Sequence, residues 1–223
     1  MVLLSIIIPV LDDFEALRTL LAMLPAAPAQ EVIVVDGGCD KELDTLTQAR
    51  PDVRIVHTAT GRACQMNAGA SVAAGRWLLF LHADSQLAPD WRLVIDTADR
   101  DASIAGGWYR LRLDATVWQA RVIERLAQLR VALFGLAYGD QGIFVRRSVF
   151  ASLGGYREMP LMEDVDFVRR LAAAGTLLRS SLVIRASPRR WLRDGWFRRS
   201  TRNLTLLVLY LAGVSPARLA RWY

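Results

Sequence analysis

The chain has 223 residues, of which 53% are apolar, and a formal net charge of +6; its mean hydropathy is +0.23. These values exclude an intrinsically disordered chain, and the length favours one domain with a sizeable core. The charge is uneven, because residues 1–112 carry 10 basic and 14 acidic side chains whereas residues 113–223 carry 18 and 8. We therefore expect the positive potential to lie on the C-terminal half.

The number of cysteines and the lengths of the apolar segments indicate in which compartment the protein resides and whether it crosses a membrane. Two cysteines, Cys39 and Cys64, are too few for a disulfide framework, which favours a reducing compartment. The apolar N-terminus lacks the basic residues that begin a signal peptide, so a strand is predicted there. The longest apolar stretch, 204–214, is shorter than the roughly 18 residues that a spanning helix needs. We predict a cytoplasmic protein that does not cross a membrane.

Short β-branched runs alternate with amphipathic segments of helical length through the first hundred residues. The predicted strands are 3–10, 31–36, 53–57 and 77–82, and the helices that follow them are 12–24, 41–49, 62–74 and 89–99. Strands that are apolar almost throughout predict a parallel sheet covered on both faces, with ligands bound at the carboxyl ends of the strands. No G-x-G-x-x-G follows the first strand and no G-x-x-x-x-G-K-[ST] occurs, so dinucleotide-binding and P-loop sites lack support.

The pattern changes after residue 102. It predicts a strand over 103–113 with a bulge at Gly106-Gly107, a helix over 115–136, a strand over 141–145, a helix from Glu163, a strand over 176–184 and an arginine-rich tail. The predicted organisation is one α/β domain over 1–190 with a basic, helical extension over 191–223.

Polar residues directly after predicted strands are the first candidates for chemistry. Asp36 precedes two glycines, so its carboxylate is placed either to accept hydrogen bonds from a ligand or to hold the turn before the next helix. His82 and Asp84 lie two residues apart and would point to the same side if the chain stays extended. Both types bind divalent cations, although a capped turn explains Asp84 equally well.

Three further segments carry candidate residues. Glu163, Asp164 and Asp166 fall in one predicted helical turn, where they either complement the helix dipole or present a general base. Arg62 is the first residue of a predicted helix. Its guanidinium and the free backbone N–H groups of the first turn could bind an anion. Alternatively, the helix has no ligand and its small residues only allow close packing on the sheet. Gln141 lies in a Gly-flanked segment that is either a substrate-lining turn or an ordinary connection.

Together these segments resemble the family 2 glycosyltransferases of the GT-A fold, from Ser5 to about Trp191. The matching segments are Ser5–Pro9, Val34–Gly38, Asn67-x-Gly69, Phe80–Ser85, Phe144–Arg147, Gly154-Gly155 and Glu163-Asp164. More narrowly, four segments resemble a bacterial subgroup associated with arsenosugar biosynthesis: Gly61–Asn67, Leu81–Asp84, Gly139–Gly142 and Pro160–Asp164.

The resemblance implies a Rossmann-like, mostly parallel sheet flanked by helices, and inverting transfer of a sugar from a nucleoside diphosphate donor, expected to be a UDP-sugar. The acceptor is a hydroxyl on a small or lipid-linked molecule. By resemblance Asp36 contacts the uracil or ribose, Asp84 holds Mg²⁺ or Mn²⁺ with His82 as a second candidate ligand, and Asp164 is the base. The other residues assigned by resemblance are Pro9, Arg62 and Gln141 on the donor side, and Glu163, Arg190 and Trp191 on the acceptor or diphosphate side.

The chain departs from the family pattern at three places. His82 stands where a D-x-D motif has its first carboxylate, and Met66 precedes Asn67 where many relatives have Arg. The segment before Trp191 lacks the Gln of the processive Q-x-x-R-W motif, which favours single transfer. Two alternatives stay open: a nucleotidyltransferase, disfavoured because residues 9–18 lack a glycine-rich, lysine-containing loop, and a catalytically silent, membrane-associated binding protein.

The tail combines charge with an apolar run. Residues 179–223 contain ten Arg and one Asp, and residues 204–214 predict a helix that is apolar on all sides and therefore buried in protein or lipid. This helix could pack on the domain, form the contact of a homodimer, or rest on an anionic membrane surface. In the last case the protein would be peripheral at the inner face of the membrane. No nucleic acid is expected as a partner, because the tail aromatics adjoin an apolar run and form no polar stacking platform.

Overall fold

A computed structural model describes residues 2–38, 43, 46 and 49–223 of the chain. The strands are β1 (Leu4–Val10), β2 (Gln30–Asp36), β3 (Val53–His57), β4 (Trp77–Phe80), β5 (Ser85–Leu87), β6 (Ile104–Leu113), β7 (Ile143–Arg146) and β8 (Thr176–Ala186). The helices are α1 (Phe14–Ala22), α2 (Arg62–Ser71), α3 (Leu93–Arg100), α4 (Trp118–Phe134), α5 (Arg147–Ser152), α6 (Glu163–Ala174), α7 (Arg189–Asp194), α8 (Trp196–Leu211) and α9 (Pro216–Ala220), and a 3₁₀ turn covers Gly139–Gln141.

One mixed sheet runs through these elements in the order β3-β2-β1-β4-β7-β6-β8-β5. Strands β3, β2, β1 and β4 are parallel, as the apolar runs predict, and β6 is parallel to β8. β7 is antiparallel to both of its neighbours, and β5 is antiparallel to β8. The predicted α/β class with flanking helices is confirmed, while the parallel part of the sheet is confined to those two groups of strands.

The register of β1 fixes where the strand ends meet. Val10 lies opposite Asp36 of β2, and Ile7 lies opposite Phe80 of β4. The chain therefore leaves three neighbouring strands at one edge, at Val10, Asp36 and Leu81. This is the edge at which a parallel sheet binds its ligands.

Alternation along β1 buries both faces of the sheet. Ile6 and Ile8 belong to the cluster that includes Leu17 and Leu20 of α1, whereas Ile7 belongs to the cluster that includes Met66 of α2. These side chains are fully buried, and burying each one stabilises the fold by about 1.5–3 kcal/mol. A one-residue slip in register would exchange the two faces, so the packing holds the strand ends in place.

Three local predictions differ from the structure, and a fourth falls mostly outside the described residues. The helix predicted over 89–99 begins at Leu93, because residues 89–92 form turns after the unpredicted edge strand β5. Gln141 lies in the 3₁₀ turn, and β7 begins at Ile143. The chain is not extended at Asp84: β4 ends at Phe80 and a turn follows, in which the Ser85 N–H donates to the His82 carbonyl (3.1 Å). Of the helix predicted over 41–49, residues 43, 46 and 49 are helical and the rest, like Cys39, lie outside the described residues.

The C-terminal helices pack on the sheet-bearing part. Trp191 of α7 is buried with Leu111 of β6 and Ala120 of α4, and Leu206 and Leu207 of α8 are buried. Residues 204–214, predicted to be buried in protein or lipid, are covered by protein on one side only, because Leu204, Val208 and Leu211 are 46–58% exposed. α8 thus has one packed face and one apolar face that no described residue covers. The boundary at residue 190 stays a prediction.

None of the helices in the described part of the chain is both long and apolar enough to cross a membrane.

A glycine at position 107 lets β6 pass between β7 and β8. The bulge predicted at Gly106-Gly107 is displaced: both residues pair in register with β8, and the register shifts before Gly106 and after Trp108. A Cβ on Gly107 would overlap the Leu178 carbonyl oxygen of β8. Backbone atoms in the middle of a sheet cannot move away cheaply, so glycine is required here.

We expect Gly107→Ala to lower the free energy of unfolding by about 3 kcal/mol or more. Gly154→Ala is the control, because a Cβ there meets open space and costs only the left-handed backbone conformation (φ +72°), about 1–2 kcal/mol. Urea denaturation of both variants measures the difference. Equal losses would contradict the close approach of β6 and β8.

Candidate active site

Two adjoining cavities open at the carboxyl edge of the parallel strands. The large cavity has a volume of about 390 Å³ and the small cavity about 110 Å³. Seven residues line both of them: Arg62, His82, Asp84, Leu161, Glu163, Arg190 and Tyr223. Pro9, Gly61 and Arg189 are among the residues that line only the large cavity, whereas Asp140, Asp164 and Trp191 line only the small one. Most of the residues predicted to form the site therefore converge on one cleft.

Two of the predicted site residues do not line either cavity. Asp36 is fully buried, where its Oδ1 accepts from the Gly38 N–H (2.9 Å) and its Oδ2 lies 3.3 Å from His57 Nδ1. Its carboxylate thus holds its own turn, which is the alternative that the sequence left open. Gln141 is also buried, and its amide donates to the Tyr109 carbonyl (3.2 Å) and accepts from Arg130 Nη2 (3.1 Å). Contact of either residue with a nucleotide stays a prediction.

Arg189 bridges two carboxylates at the mouth of the large cavity. Its Nη2 donates to Asp13 Oδ2 (2.5 Å) and to Asp84 Oδ2 (3.3 Å). The hydrogen bond with Asp13, followed by the weaker contributions of Asp84, raises the pKa of Arg189 above its usual range. In this structure a guanidinium therefore neutralises Asp84, the residue predicted to hold a metal ion.

His82 offers an unused nitrogen to the same cleft. Its Nε2 is buried and has no hydrogen-bond partner among the residues that the structure describes. Burial lowers the pKa of His82 well below its usual value, and the nearby Arg62 and Arg190 lower it further. The imidazole is therefore neutral at neutral pH, which is the form that can accept a hydrogen bond or bind a cation.

The donor set suits a divalent ion that is shared with a ligand. In the described ranges no group of three or more His, Cys, Asp or Glu is placed to hold an ion by itself. Mg²⁺ is commonly bound by one or two carboxylates together with phosphate oxygens of a substrate. Asp84 fits that arrangement, because the remaining ligands would come from the bound molecule, and His82 is the second candidate ligand predicted from the sequence.

The Asp164 carboxylate is fixed by backbone groups. Its Oδ2 accepts from the Gly139 N–H (2.7 Å), and its Oδ1 accepts from the Val165 N–H in the first turn of α6 (2.7 Å). These bonds orient the carboxylate on the wall of the small cavity without using another side chain. A carboxylate held in this way can take a proton from a hydroxyl placed in the cavity.

The neighbouring Glu163 anchors an arginine. Its Oε1 accepts from Arg62 Nη1 (3.2 Å) across 101 positions of sequence, and its side chain is buried. Burial and the adjacent Asp164 raise the pKa of Glu163, while Arg62 opposes that rise. The pair holds the guanidinium at the start of α2, between the two cavities.

Asp140 was not among the predicted site residues, although its turn was noted. It lines the small cavity, and its Oδ1 is buried without a hydrogen-bond partner in the described part of the chain. Burial, with smaller contributions from Asp164 and Asp84, raises the pKa of Asp140 to about 6. The glycines on either side of Asp140-Gln141 were the available signal, because they mark a turn that presents one of these two side chains.

The C-terminal helices also contribute to the small cavity. Arg199, Asn203 and Leu206 of α8 line it together with Tyr223. The Tyr223 hydroxyl accepts from Arg199 Nη2 (2.7 Å) and from Arg190 Nη1 (3.3 Å). These residues were missed because a uniform excess of arginine in the tail does not indicate which side chains turn inward.

A family model settles the classification of the chain. The model described as glycosyl transferase family 2 matches residues 5–154. This chain belongs to glycosyl transferase family 2. The family model thus covers the three parallel strand ends, the start of α2, the His82–Asp84 turn and the 3₁₀ turn. It ends before α6, so Glu163 and Asp164 lie beyond the matched residues.

Known glycosyltransferases are similar over much of the chain. A PGL/p-HBAD biosynthesis glycosyltransferase of Mycobacterium bovis is 31% identical over an alignment of 182 residues, gaps included, that covers 73% of this chain and 67% of that protein. The solved mannosyltransferase PcManGT from Pyrobaculum calidifontis, in complex with GDP-Man and Mn²⁺, superposes with a TM-score of 0.68 at 18% identity over 96% of this chain and 66% of that one.

A second solved structure has a different donor. S. aureus TarS 1-349 in complex with UDP-GlcNAc superposes with a TM-score of 0.58 at 16% identity, over 83% of this chain and 58% of that one. The chain thus spans about two thirds of the length of the relatives it matches, or less. These structures establish the GT-A fold, and the narrower resemblance to the arsenosugar-associated subgroup stays a prediction.

The raised pKa of Asp140 predicts a pH-dependent loss of stability. The unfolded chain releases this proton near pH 4 and the folded chain near pH 6, so the native state becomes less stable as the pH rises through that interval. Asp140→Asn removes the loss, and we expect the variant to be more stable than the wild type at pH 7 by on the order of 2 kcal/mol, with little difference at pH 4.

Thermal denaturation of the wild type and Asp140→Asn across that pH range measures the effect. Asp90→Asn, at an exposed position, is the matched control. If the melting temperatures of wild type and Asp140→Asn changed with pH in the same way, the raised pKa of Asp140 would be contradicted.

Proposed function

We propose that this chain is an inverting, non-processive glycosyltransferase that moves a sugar from a nucleoside diphosphate donor to a hydroxyl acceptor. The observation that carries the proposal is the shared wall of the two cavities, formed by Arg62, Asp84, Glu163 and Arg190, with Asp164 on the small-cavity side. The large cavity would take the donor and the small cavity the acceptor. Membership of the family supports sugar transfer as the reaction class.

Asp164 is proposed as the general base. The acceptor oxygen attacks the anomeric carbon from the small cavity, its proton passes to the Asp164 carboxylate, and the bond from the anomeric carbon to the diphosphate oxygen breaks. The two backbone bonds to Asp164 support this role because they orient the carboxylate before the acceptor binds. Attack opposite to the leaving group inverts the anomeric configuration.

Positive charge at the shared wall is proposed to bind the diphosphate. Arg62 and Arg190 line both cavities, and guanidinium groups match phosphate oxygens with paired hydrogen bonds. A divalent cation held by Asp84, with His82 beside it, would neutralise charge on the leaving diphosphate. Mg²⁺ and Mn²⁺ both suit the donor set, and Mn²⁺ accompanies GDP-Man in the structure of PcManGT.

The nucleotide base and the mode of transfer follow from the resemblance. We propose a UDP-sugar donor, of the kind bound by the S. aureus relative, with a GDP-sugar as the competing choice. The missing Gln of the Q-x-x-R-W motif supports one transfer per acceptor. The cytoplasm is the proposed location, and two cysteines, too few for a disulfide framework, support it.

We expect Asp164→Asn to reduce sugar transfer by about 10²–10⁴-fold, because an amide cannot take the acceptor proton. Binding of the nucleotide should be unchanged, since Asp164 does not line the large cavity. Release of UDP or GDP from a panel of sugar nucleotides in the presence of Mn²⁺ measures activity. Glu158→Gln, at an exposed position in the preceding loop, is the control. Full activity of Asp164→Asn would show that Asp164 is not the general base.

We expect Mn²⁺ and nucleoside diphosphate to bind cooperatively through Asp84. Titration calorimetry with UDP and with GDP should give a higher affinity in the presence of Mn²⁺, and the nucleotide with the larger gain identifies the donor base. Asp84→Asn should abolish the gain, whereas Asp90→Asn should retain it. A gain that survives in Asp84→Asn would place the cation elsewhere.

A further inference from the structure

The outer face of α8 carries an exposed apolar stripe. Its members are spaced by seven, four and three residues, so they lie on one side of the helix, and they are 46–58% exposed: Phe197, Leu204, Val208 and Leu211. The opposite side packs inward through Arg199, Leu206 and Leu207. An amphipathic helix in a globular protein normally exposes polar residues, so this stripe needs a partner.

Helix α4 carries a second stripe. The exposed residues are Trp118, Leu126, Leu129, Leu133 and Phe134, each at least half exposed. Its buried side is made of smaller residues, chiefly Ala120, Ile123, Ala127 and Val131. The largest apolar side chains of α4 therefore point away from the core, which is the reverse of what folding alone favours.

The two stripes lie side by side. The rings of Trp118 and Phe197, near the starts of the two helices, are in contact with centroids 5.7 Å apart. Beyond the other end of α4, Leu136 belongs to the same buried cluster as Leu206 and Leu207 of α8. We call the exposed stripes together the α4–α8 face. Contiguous exposed apolar surface of this kind marks an interaction site.

Positive charge surrounds the α4–α8 face. The exposed arginines of these helices and their neighbours include Arg125, Arg193, Arg198, Arg218 and Arg221. Within residues 115–136 and 189–223 the acidic side chains are Glu124 and Asp194. Glu124 is buried and accepts from the Leu113 N–H, and Asp194 accepts from Arg193, Arg199 and Arg202. Arg193 is therefore paired, whereas Arg125, Arg198, Arg218 and Arg221 have no acidic partner within these two segments.

We infer that the α4–α8 face docks on an anionic lipid surface, with α4 and α8 lying in the plane of the interface. Tryptophan, phenylalanine and leucine side chains beside arginines are the composition of interfacial helices, in which the apolar groups enter the acyl boundary and the guanidinium groups contact headgroups. A second copy of this chain fits less well, because a two-fold contact would bring the same arginines together without carboxylates to pair with them.

Docking would hold the small cavity next to the lipid. The inner side of α8 lines that cavity through Arg199, Asn203 and Leu206, while its outer side belongs to the docking face. One helix thus separates the proposed acceptor site from the membrane. This part of the inference rests on the proposed function, and it favours a lipid-linked hydroxyl over a freely diffusing one as the acceptor.

Vesicle flotation tests the docking face. We expect the full chain to bind phosphatidylcholine vesicles that contain phosphatidylglycerol, to bind pure phosphatidylcholine weakly, and to dissociate as salt is added. The double variant Leu204→Ser/Val208→Ser should weaken binding roughly tenfold or more, and Arg198→Glu should weaken it at low salt. Leu93→Ser and Arg100→Glu are the matched controls, because both residues are exposed on α3, and they should bind like the wild type.

Circular dichroism and Mn²⁺-dependent UDP or GDP binding are measured on the same samples. Lost vesicle binding with intact nucleotide binding supports the docking face and shows that the variants are folded. Absence of wild-type binding to anionic vesicles, or equal binding by Leu204→Ser/Val208→Ser, overturns it. A dimer that becomes monomeric in that variant while vesicle binding persists assigns the face to a second copy. Failure of nucleotide binding alone, with docking intact, counts against the proposed function and leaves the docking face standing.

Discussion

The burial of β1 on both faces is the constraint on which the site depends. Ile6, Ile7 and Ile8 alternate between two core clusters, so β1 cannot shift without exposing one set of side chains. Gln65 secures the point where the chain leaves the sheet, because its side-chain amide donates to the carbonyls of Val10 (2.7 Å) and Val35 (2.9 Å). A rigid edge results, and the turns that carry polar residues start from fixed positions.

Charge around the cleft comes from both halves of the chain. Asp13 and Asp84 belong to the acidic N-terminal half and meet Arg189 of the basic half, while Glu163 of the basic half meets Arg62 of the acidic one. Each ion pair joins positions that are about 100 or more residues apart in sequence. Acidic residues of one half thus pair with arginines of the other half at the cleft. The arginines that have no such partner lie on the outer surface of the C-terminal helices.

The sequence predicted what depends on periodicity. The apolar runs located β1 to β4, and the acidic turn located the start of α6 at Glu163. It could not predict side-chain direction after a strand ends: Asp36 and Gln141 turn inward to hydrogen-bond their own surroundings, whereas Asp140 faces the small cavity. Neighbouring residues of a tight turn point to different sides, and composition does not distinguish them. The exposed side of α8 was missed for a related reason, since an apolar run shows that a partner exists but not that the partner covers only one face.

The bridge from Arg189 to Asp13 and Asp84 has a consequence for ligand discrimination. A lone cation that approaches Asp84 has to displace a guanidinium and leaves that positive charge with one carboxylate fewer. A cation that arrives together with a diphosphate brings oxygens that the released guanidinium can contact, so the exchange conserves the number of opposite-charge contacts. Under the proposed function, the cleft therefore responds to the complex of cation and diphosphate more than to either ion alone, which is a form of coincidence detection that depends on a single arginine.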